Sequence, residues 1–373
     1  MFMLIGLGLL TLVIFLSCTS VGYVAPENYQ GRIKRWLVEL DLVLFISCLI
    51  FKAYVLRLAL FVYTAQAIFA AFVLIAVLLR LLKRKFLAPS VDFDRSRRRL
   101  LKRAILYPAT ALATAGYGSF WEKNHTVVRE YNIPVADLPD NLAGFRLAQL
   151  SDVHLGAFFS VEELDRLITQ AARALPDALV LTGDVFDDVR LNDSAIGLVN
   201  RRVHDFPCGI WYCHGNHEHF RGIKHIEKML ATTDIHVLIN SHEVAVSGSR
   251  PLVIAGVDYP AHRADDAFMS DKREYLTEAL EGAPPAAVKI LLAHHPEFID
   301  DGAEQGVILT LTGHTHGGQI CLFGYPLFPV FKYNKGMIKK GDKFGYVHSG
   351  NGSWFPCRLG CPPEIAVFTL TKA

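Results

Sequence analysis

Residues 307–318, VILTLTGHTHGG, run from a short β-branched apolar segment directly into two histidines separated by one residue and framed by glycines. In an extended backbone residues i and i+2 point to the same side. His314 and His316 are therefore expected to face one cluster, with Thr315 turned away. The glycines permit tight turns beside whatever that cluster holds. Taken alone, the stretch fits one metal ion, two, or a pair of ordinary polar residues.

Four other apolar runs end in the same way. FRLAQL leads into Ser151-Asp152-Val153-His154, and ALVLT into Gly183-Asp184-Val185-Phe186-Asp187. IWYCH leads into Gly215-Asn216-His217-Glu218, and VKILLA into His294-His295-Pro296. A single Asp or His after a strand is normally a turn former. Five runs that keep their interiors apolar and carry their donors just past the carboxyl end describe the edge where α/β sheets place ligands. From Tyr131 onward such runs alternate with helical patterns, which predicts a mixed α/β fold. Ser160 and Glu163 form a capping box ahead of a helix with Leu164, Leu167, Ile168 and Ala171 on one face. Residues 243–247 and 252–256, separated by Gly248-Ser249-Arg250-Pro251, read as a hairpin.

The donors at these five ends are carboxylate, carboxamide and imidazole, with no thiolate, a set suited to Mn, Fe or Zn. Asp152, His154, Asp184, Asn216, His294, His314 and His316 are too many for one tetrahedral ion. They are about right for two divalent ions sharing a carboxylate, the usual device for displacement at phosphorus.

The chain as a whole is 51% hydrophobic with a mean hydropathy of +0.28, too apolar for one soluble domain. The excess lies in residues 1–121, read here as a transmembrane helical region of four spans. These are Met1 to about Val24, two helices within Leu37–Arg80 joined near Lys52–Arg57, and Ala104 to about Trp121, which contains Pro108. Glu39, Asp41 and Lys52 are expected at interfaces or buried against neighbouring helices, an intramembrane functional site being the other reading. Arg80–Arg103 is a basic segment whose only acids are Asp92 and Asp94, as expected of a cytosolic membrane-flanking loop. Ser96–Lys102, SRRRLLK, resembles a twin-arginine export signal. With Arg32, Lys34 and Arg35 also cytosolic, four spans place the C-terminal domain outside the cytosol and three would keep it inside. Four is the expectation, for a multi-pass protein of the cell (inner) membrane with the lipid bilayer as partner. The net charge of +2 gives no general polyanion-binding character, and no nucleic-acid partner is expected. The seven cysteines form neither a zinc ribbon nor a disulfide scaffold, although Cys208 with Cys213 or Cys357 with Cys361 could pair.

Taken in order, Asp-x-His at 152–154, Gly-Asp-x-x-Asp at 183–187, Gly-Asn-His-Glu at 215–218, His294 after its strand and Gly-His-x-His at 313–316 resemble the calcineurin-like metallophosphoesterase superfamily. The tail YVHSGNGSWFPCRLGCPPEIAVFTL is similar to its membrane-associated branch, which includes YkuE-type bacterial phosphoesterases and the transmembrane protein with metallophosphoesterase domain. The resemblance implies a four-layer α/β/β/α sandwich over residues 145–373, with 122–144 as linker and first strand. It implies that Asp152, His154, Asp184 and His316 hold one ion and that Asp184, Asn216, His294 and His314 hold the other, Asp184 bridging. His217 would protonate the leaving oxygen or steady phosphoryl charge, and Asp187 would orient that imidazole. A hydroxide held between the ions is then the nucleophile, since metal binding lowers the pKa of water towards 7. The expected activity is hydrolysis of a phosphate mono- or diester, on a lipid-linked or nucleotide-sugar-lipid substrate. The alternative is a non-catalytic metal-binding sensor or interaction module, which a missing ligand or a missing His217 would favour; none is missing. His219, His225 and His295 read as surface or supporting residues. Arg358 reads equally as a phosphate clamp or as a partner of Glu364, and Asn334–Lys343 reads as a solvated basic hairpin.

Overall fold

In the computed structural model, which describes residues 2–51, 53–86, 95–260, 265–353 and 355–373, the N-terminal runs fold as helices. They are α1 (Phe2–Val24), α2 (Glu27–Phe51), α3 (Ala53–Phe86) and α4 (Arg95–Gly116). One stretch among the described residues, Leu56–Leu79 in α3, is long and apolar enough to cross a membrane. Helix α2 ends at Phe51 and α3 begins at Ala53, on either side of a residue that is not described, and α2 begins ten residues before Leu37, at Glu27, and so takes in Arg32, Lys34 and Arg35. Asp41 of α2 is buried against α3, where Gln66 Nε2 donates a hydrogen bond to its Oδ1 at 2.7 Å. Lys52, residues 87–94 of the basic segment and Trp354 of the tail lie outside the described residues. The side chains of the twin-arginine-like run Ser96–Lys102 do so too. The chain divides into two compact units, Met1–Trp121 with Phe355–Cys357, and Glu122–Trp354 with Arg358–Ala373.

The second unit is built on two six-stranded sheets. The first contains β1 (Val127–Val135), β2 (Arg146–Leu150), β3 (Ala178–Thr182), β4 (Ile210–Cys213) and β5 (His236–Val237). The second contains β6 (Ser241–Val246), β7 (Leu252–Gly256), β8 (Val288–Leu292) and β9 (Leu309–Thr312), then, after a two-stranded ribbon of β10 (Cys321–Leu322) and β11 (Tyr325–Pro326), β12 (Gly336–Lys340) and β13 (Lys343–Val347). The last strand, β14 (Glu364–Lys372), returns to the first sheet, giving the order β1-β14-β2-β3-β4-β5 beside β12-β13-β9-β8-β7-β6. The β2 to β5 and β7 to β9 ladders are parallel, so the carboxyl ends within each series lie on one edge.

Strands apolar on both faces need cover on both faces, and alternate residues show where each cover lies. Leu147, Val180 and Trp211 meet Ile254, Ile290 and Leu311 between the sheets. Ala148, Leu179 and Tyr212 face outward onto α5 (Val161–Ala172), α6 (Asn192–Arg201) and α8 (Ile223–Leu230), the last reached through the short α7 (Asn216–Phe220). On the far side, Ala255 and Leu291 pack under α9 (Asp265–Leu280) and α10 (Phe298–Glu304). The result is the expected α/β/β/α sandwich. Ser160 caps α5 as the sequence indicates, its Oγ accepting from Glu163 N at 3.2 Å while Glu163 accepts from Ser160 N. The predicted hairpin is β6–β7, with a bulge between Val244 and Val246.

Phe368 of β14 ties the two sheets together: its ring stacks on Tyr131 at 5.7 Å and meets Tyr346 of β13 edge-on at 5.0 Å. Replacing it with Ala should lower unfolding stability by about 3–5 kcal/mol, because the lost ring leaves a cavity that close-packed sheets cannot fill. Val244→Thr on the exposed edge strand should change it by less than about 0.5 kcal/mol. Denaturant unfolding followed by circular dichroism compares the two.

Candidate metal centre

The five strand ends converge. After β2, β3 and β9 the backbone leaves the extended region at once: Asp152, His154, Asp184, His314 and His316 all have positive φ, between 49° and 71°. Side chains other than glycine's rarely adopt that conformation, and its cost is characteristically found at functional sites. This corrects the expectation for His314 and His316. Their imidazoles are not brought to one side by strand pleat, since β9 stops at Thr312 and a tight turn follows. They are aimed by two left-handed residues, and a different neighbour receives each.

Close approach makes those turns possible. A Cβ on Gly313 would run into Ser151 Oγ and the Asp152 carboxylate, and one on Gly215 into Asp184.

Asp184 lies between two groups of donors. Its Oδ2 is 3.1 Å from His294 Nε2 and 3.6 Å from His154 Nε2, while its Oδ1 accepts from His217 N at 2.8 Å. On one side, His154 Nε2 and His316 Nε2 are 2.9 Å apart, with Asp152 Oδ1 3.5 Å from His316 Nε2. On the other, His294 Nε2 and His314 Nδ1 are 3.1 Å apart. Within each of the sets Asp152, His154, His316 and Asp184, His294, His314, one ligand atom per residue lies within 4.8 Å of the others, close enough to share an ion. Asn216 opens α7 beside them, and its Oδ1 is buried with no hydrogen-bond partner.

The residues behind the donors set their tautomers. His294 Nδ1 donates to Thr182 O at 2.8 Å, and His154 Nδ1 faces Asp187 Oδ2 at 3.1 Å, so in both rings Nε2 is the nitrogen turned to the cluster, where a cation would take the place of its proton. This is the usual outer support of a metal-binding histidine. Two ring nitrogens 2.9 Å apart can share one proton or one cation. Burial pushes the Asp152 carboxyl up and the His314 and His316 imidazoles down. Burial also opposes charge on Asp184 and His294, but their mutual attraction wins: the carboxyl is held well below its usual range and the imidazole is pushed up to about 10. Buried carboxylates set among imidazoles, together with the orphaned Asn216 oxygen, make a donor set that fits hard or borderline divalent cations.

His217 stands at the edge, with Nδ1 2.9 Å from Asp187 Oδ1, a charge pairing and not an aligned hydrogen bond. Burial disfavours its charged form, yet Asp187 and Asp184 raise its pKa above the ordinary value. Arg221 Nε donates to the same Asp187 oxygen at 2.8 Å. Asp187 thus joins His154 to His217.

The structure resolves the paired histidines after β8. His294 enters the cluster, whereas His295 turns away among Phe268, Phe331 and Tyr259 and accepts from Glu297 N. His219 and the buried His214 both meet Asp258 Oδ1, at 2.8 and 3.1 Å, and His225 meets Asp193 on the surface. Arg358 takes neither expected role. Fully buried, it donates to the carbonyls of Ser349, Gly350, Gly352 and Cys361, and so shapes the tail loop behind Asp152. Glu364 pairs instead with Arg129. The cysteines are free thiols.

Glu218 was not singled out as a site residue, although it closes the Gly-Asn-His-Glu run. It is buried, and its two oxygens accept from four backbone N–H groups: Asp184 at 3.0 Å, Val185 at 2.7 Å, Phe186 at 3.0 Å and Gly215 at 2.8 Å. The signal was its position three residues after Gly215, the spacing of a helix N-terminal cap.

Residues 145–318 match the calcineurin-like phosphoesterase family. The Bacillus subtilis metallophosphoesterase YkuE is 31% identical over 286 residues, covering 74% of this chain and 97% of that protein. The Danio rerio transmembrane protein with metallophosphoesterase domain is 29% identical over 266 residues, 66% of this chain and 57% of that one. The Escherichia coli phosphodiesterase YaeI is 28% identical over 288 residues, 74% and 99%. The chain belongs to the calcineurin-like phosphoesterase family.

Glu218→Gln should be damaging despite its matched shape, because an amide presents N–H groups to two of the four backbone donors. A loss of roughly 2–4 kcal/mol of unfolding stability is expected. Retained metal per chain, read by elemental analysis, should fall with it.

Proposed function

We propose that this chain is a membrane-anchored, metal-dependent hydrolase of phosphate esters, working with two divalent ions. The observation that supports it most is the place of Asp184, whose one carboxylate borders both donor groups. Asp152, His154, Asp184 and His316 would hold one ion, and Asp184, Asn216, His294 and His314 the other. When bound, the ions supply Lewis acidity and neutralise charge on the phosphoryl group, which removes the need for a serine or cysteine nucleophile. His217 is set to donate a proton to the leaving oxygen, its backbone held by Asp184 and its imidazole by Asp187. Arg221 and His154, on the same Asp187 carboxylate, keep that acceptor from swinging away. The name of YaeI favours a diester, and an apolar helix in the chain favours an ester presented at a bilayer, such as a lipid-linked or nucleotide-sugar-lipid phosphate. If all four helices span and the basic segments are cytosolic, as the sequence reading expects, the hydrolytic domain would face the extracytoplasmic side of the cell membrane.

Purified full-length protein supplied with Mn²⁺ should hydrolyse an aryl phosphodiester, and chelation should abolish this reversibly. Asp184→Asn should remove activity and ion content together. His217→Ala should keep its ions and lose roughly 10²–10³ in kcat, the usual range for a missing general acid. Wild-type protein that binds two ions yet cleaves neither mono- nor diesters would leave only a binding role. Protease protection of the domain in right-side-out and inverted vesicles checks its side of the membrane.

A further inference from the structure

The ribbon of β10 and β11 and the residues after it supply none of the candidate metal donors, yet they carry a contiguous exposed apolar surface on the larger unit. Within the sequence CLFGYPLFPVF, residues 321–331, exposure is 60% for Leu322, 92% for Phe323, 78% for Tyr325, 66% for Phe328 and 78% for Val330. No charged residue interrupts them. Contiguous apolar surface of this kind marks an interaction site on a soluble domain.

The backbone works to present it. Phe323 has φ 51° and Gly324 φ 86°, so a bulky side chain occupies the left-handed region and holds its ring out into water. Positive φ at both residues is what a two-residue hairpin loop between the paired Leu322 and Tyr325 demands, but such a turn favours Asn, Asp or Gly where Phe323 stands, and its ring is left in water. The ribbon is nevertheless tied down at both ends. Leu327 N donates to Ile320 O at 2.8 Å, and Thr315 Oγ1, inside the Gly-His-x-His turn, donates to Asn334 O at 2.7 Å. The Phe331 ring lies 5.1 Å from that of His314. Immediately beyond the apolar tip, residues 332–343 carry Lys332, Lys335, Lys339, Lys340 and Lys343; Lys332 and Lys340 share Asp300 and Lys343 meets Asp342, so the segment stays net positive. An aromatic and aliphatic tip backed by lysines matches the layering of a bilayer surface, apolar within and anionic at the headgroups.

We propose that residues 322–330 dip into an anionic phospholipid bilayer, a membrane contact made by the hydrolytic unit itself and separate from the apolar helix of α3. Because the ribbon continues from the turn that carries His314 and His316, insertion brings the mouth of the cluster to headgroup level. The inference concerns lipid contact, so it stands or falls independently of which ester is cut.

The test uses the full chain reconstituted into vesicles of equimolar phosphatidylcholine and phosphatidylglycerol, with and without brominated acyl chains. Phe323→Trp is compared with the parent protein, to subtract the native tryptophans, and with Val244→Trp on the exposed edge strand β6. The emission added at 323 should be blue-shifted, should lose most of its intensity to the brominated lipid and should resist aqueous iodide, while that added at 244 should respond only to iodide. Emission at 323 that iodide quenches and brominated lipid does not would overturn the proposal. Emission insensitive to both would also overturn it, because another segment of the chain or a second copy would then cover the ribbon.

Discussion

The buried carboxylate of Glu218 is the point on which the metal centre depends. A charge taken out of water is tolerated only when its lone pairs are filled, and here four backbone N–H groups fill them, three from the loop after β3 and one from the loop after β4. Those loops belong to neighbouring parallel strands, so one side chain sets the spacing between Asp184 and Asn216. Charge-assisted hydrogen bonds are roughly twice as strong as neutral ones, and four of them on one rigid group leave the two loops little freedom. Asp184 then becomes the reference for the rest: His217 hangs from its Oδ1, and His154 and His294 approach its Oδ2.

Stability supplied in this way is spent locally. Five candidate ligands hold left-handed backbone conformations that residues other than glycine seldom adopt, and several polar atoms around them, including Asn216 Oδ1 and His316 Nδ1, are buried without partners. The four-layer core allows this, since apolar cover on both faces of both sheets stabilises the strands while their carboxyl ends carry the strain. A cation entering the cluster would meet donors already oriented by Thr182 and Asp187, with little further ordering to be done.

Much of this was readable beforehand because strand periodicity and donor chemistry are local. The five runs that end in Asp, Asn or His became strands whose ends meet, and the Ser160 box and the β6–β7 hairpin formed where their residues sit. What escaped reading is set by tertiary contacts. No spacing rule shows that Glu218 will be enclosed by amides of a loop more than thirty residues earlier, or that Arg358 will spend its guanidinium on carbonyls of its own loop. Spacing to Pro296 favours His294 over His295, but the Thr182 carbonyl that holds its ring comes near only through strand pairing. The alternation argument for His314 and His316 reached a sound grouping through a wrong backbone, because glycines after a strand permit a turn as readily as a further pleat. Among the described residues of the N-terminal helices one stretch, Leu56–Leu79, is long and apolar enough to span, and the charges of α2 and the basic start of α4 dilute the apolar runs there.

The same turn connects the interior problem to the surface one. His314 must be positioned for the cluster, yet its outer neighbours are aromatic: Tyr259, His295 and Phe331 all have rings within 5.6 Å of it. Rings packed around the partly buried His314 limit water on that side of the candidate cluster, and a lower local dielectric strengthens the charge interactions inside. Phe331 belongs to the segment that also bears the exposed Phe328 and Val330, so the cover over His314 and the apolar tip are parts of one continuous piece of chain. Any force on the tip is therefore transmitted to the wall of the centre through a few residues. An environment that accepts the tip would hold that wall in place without altering a single donor.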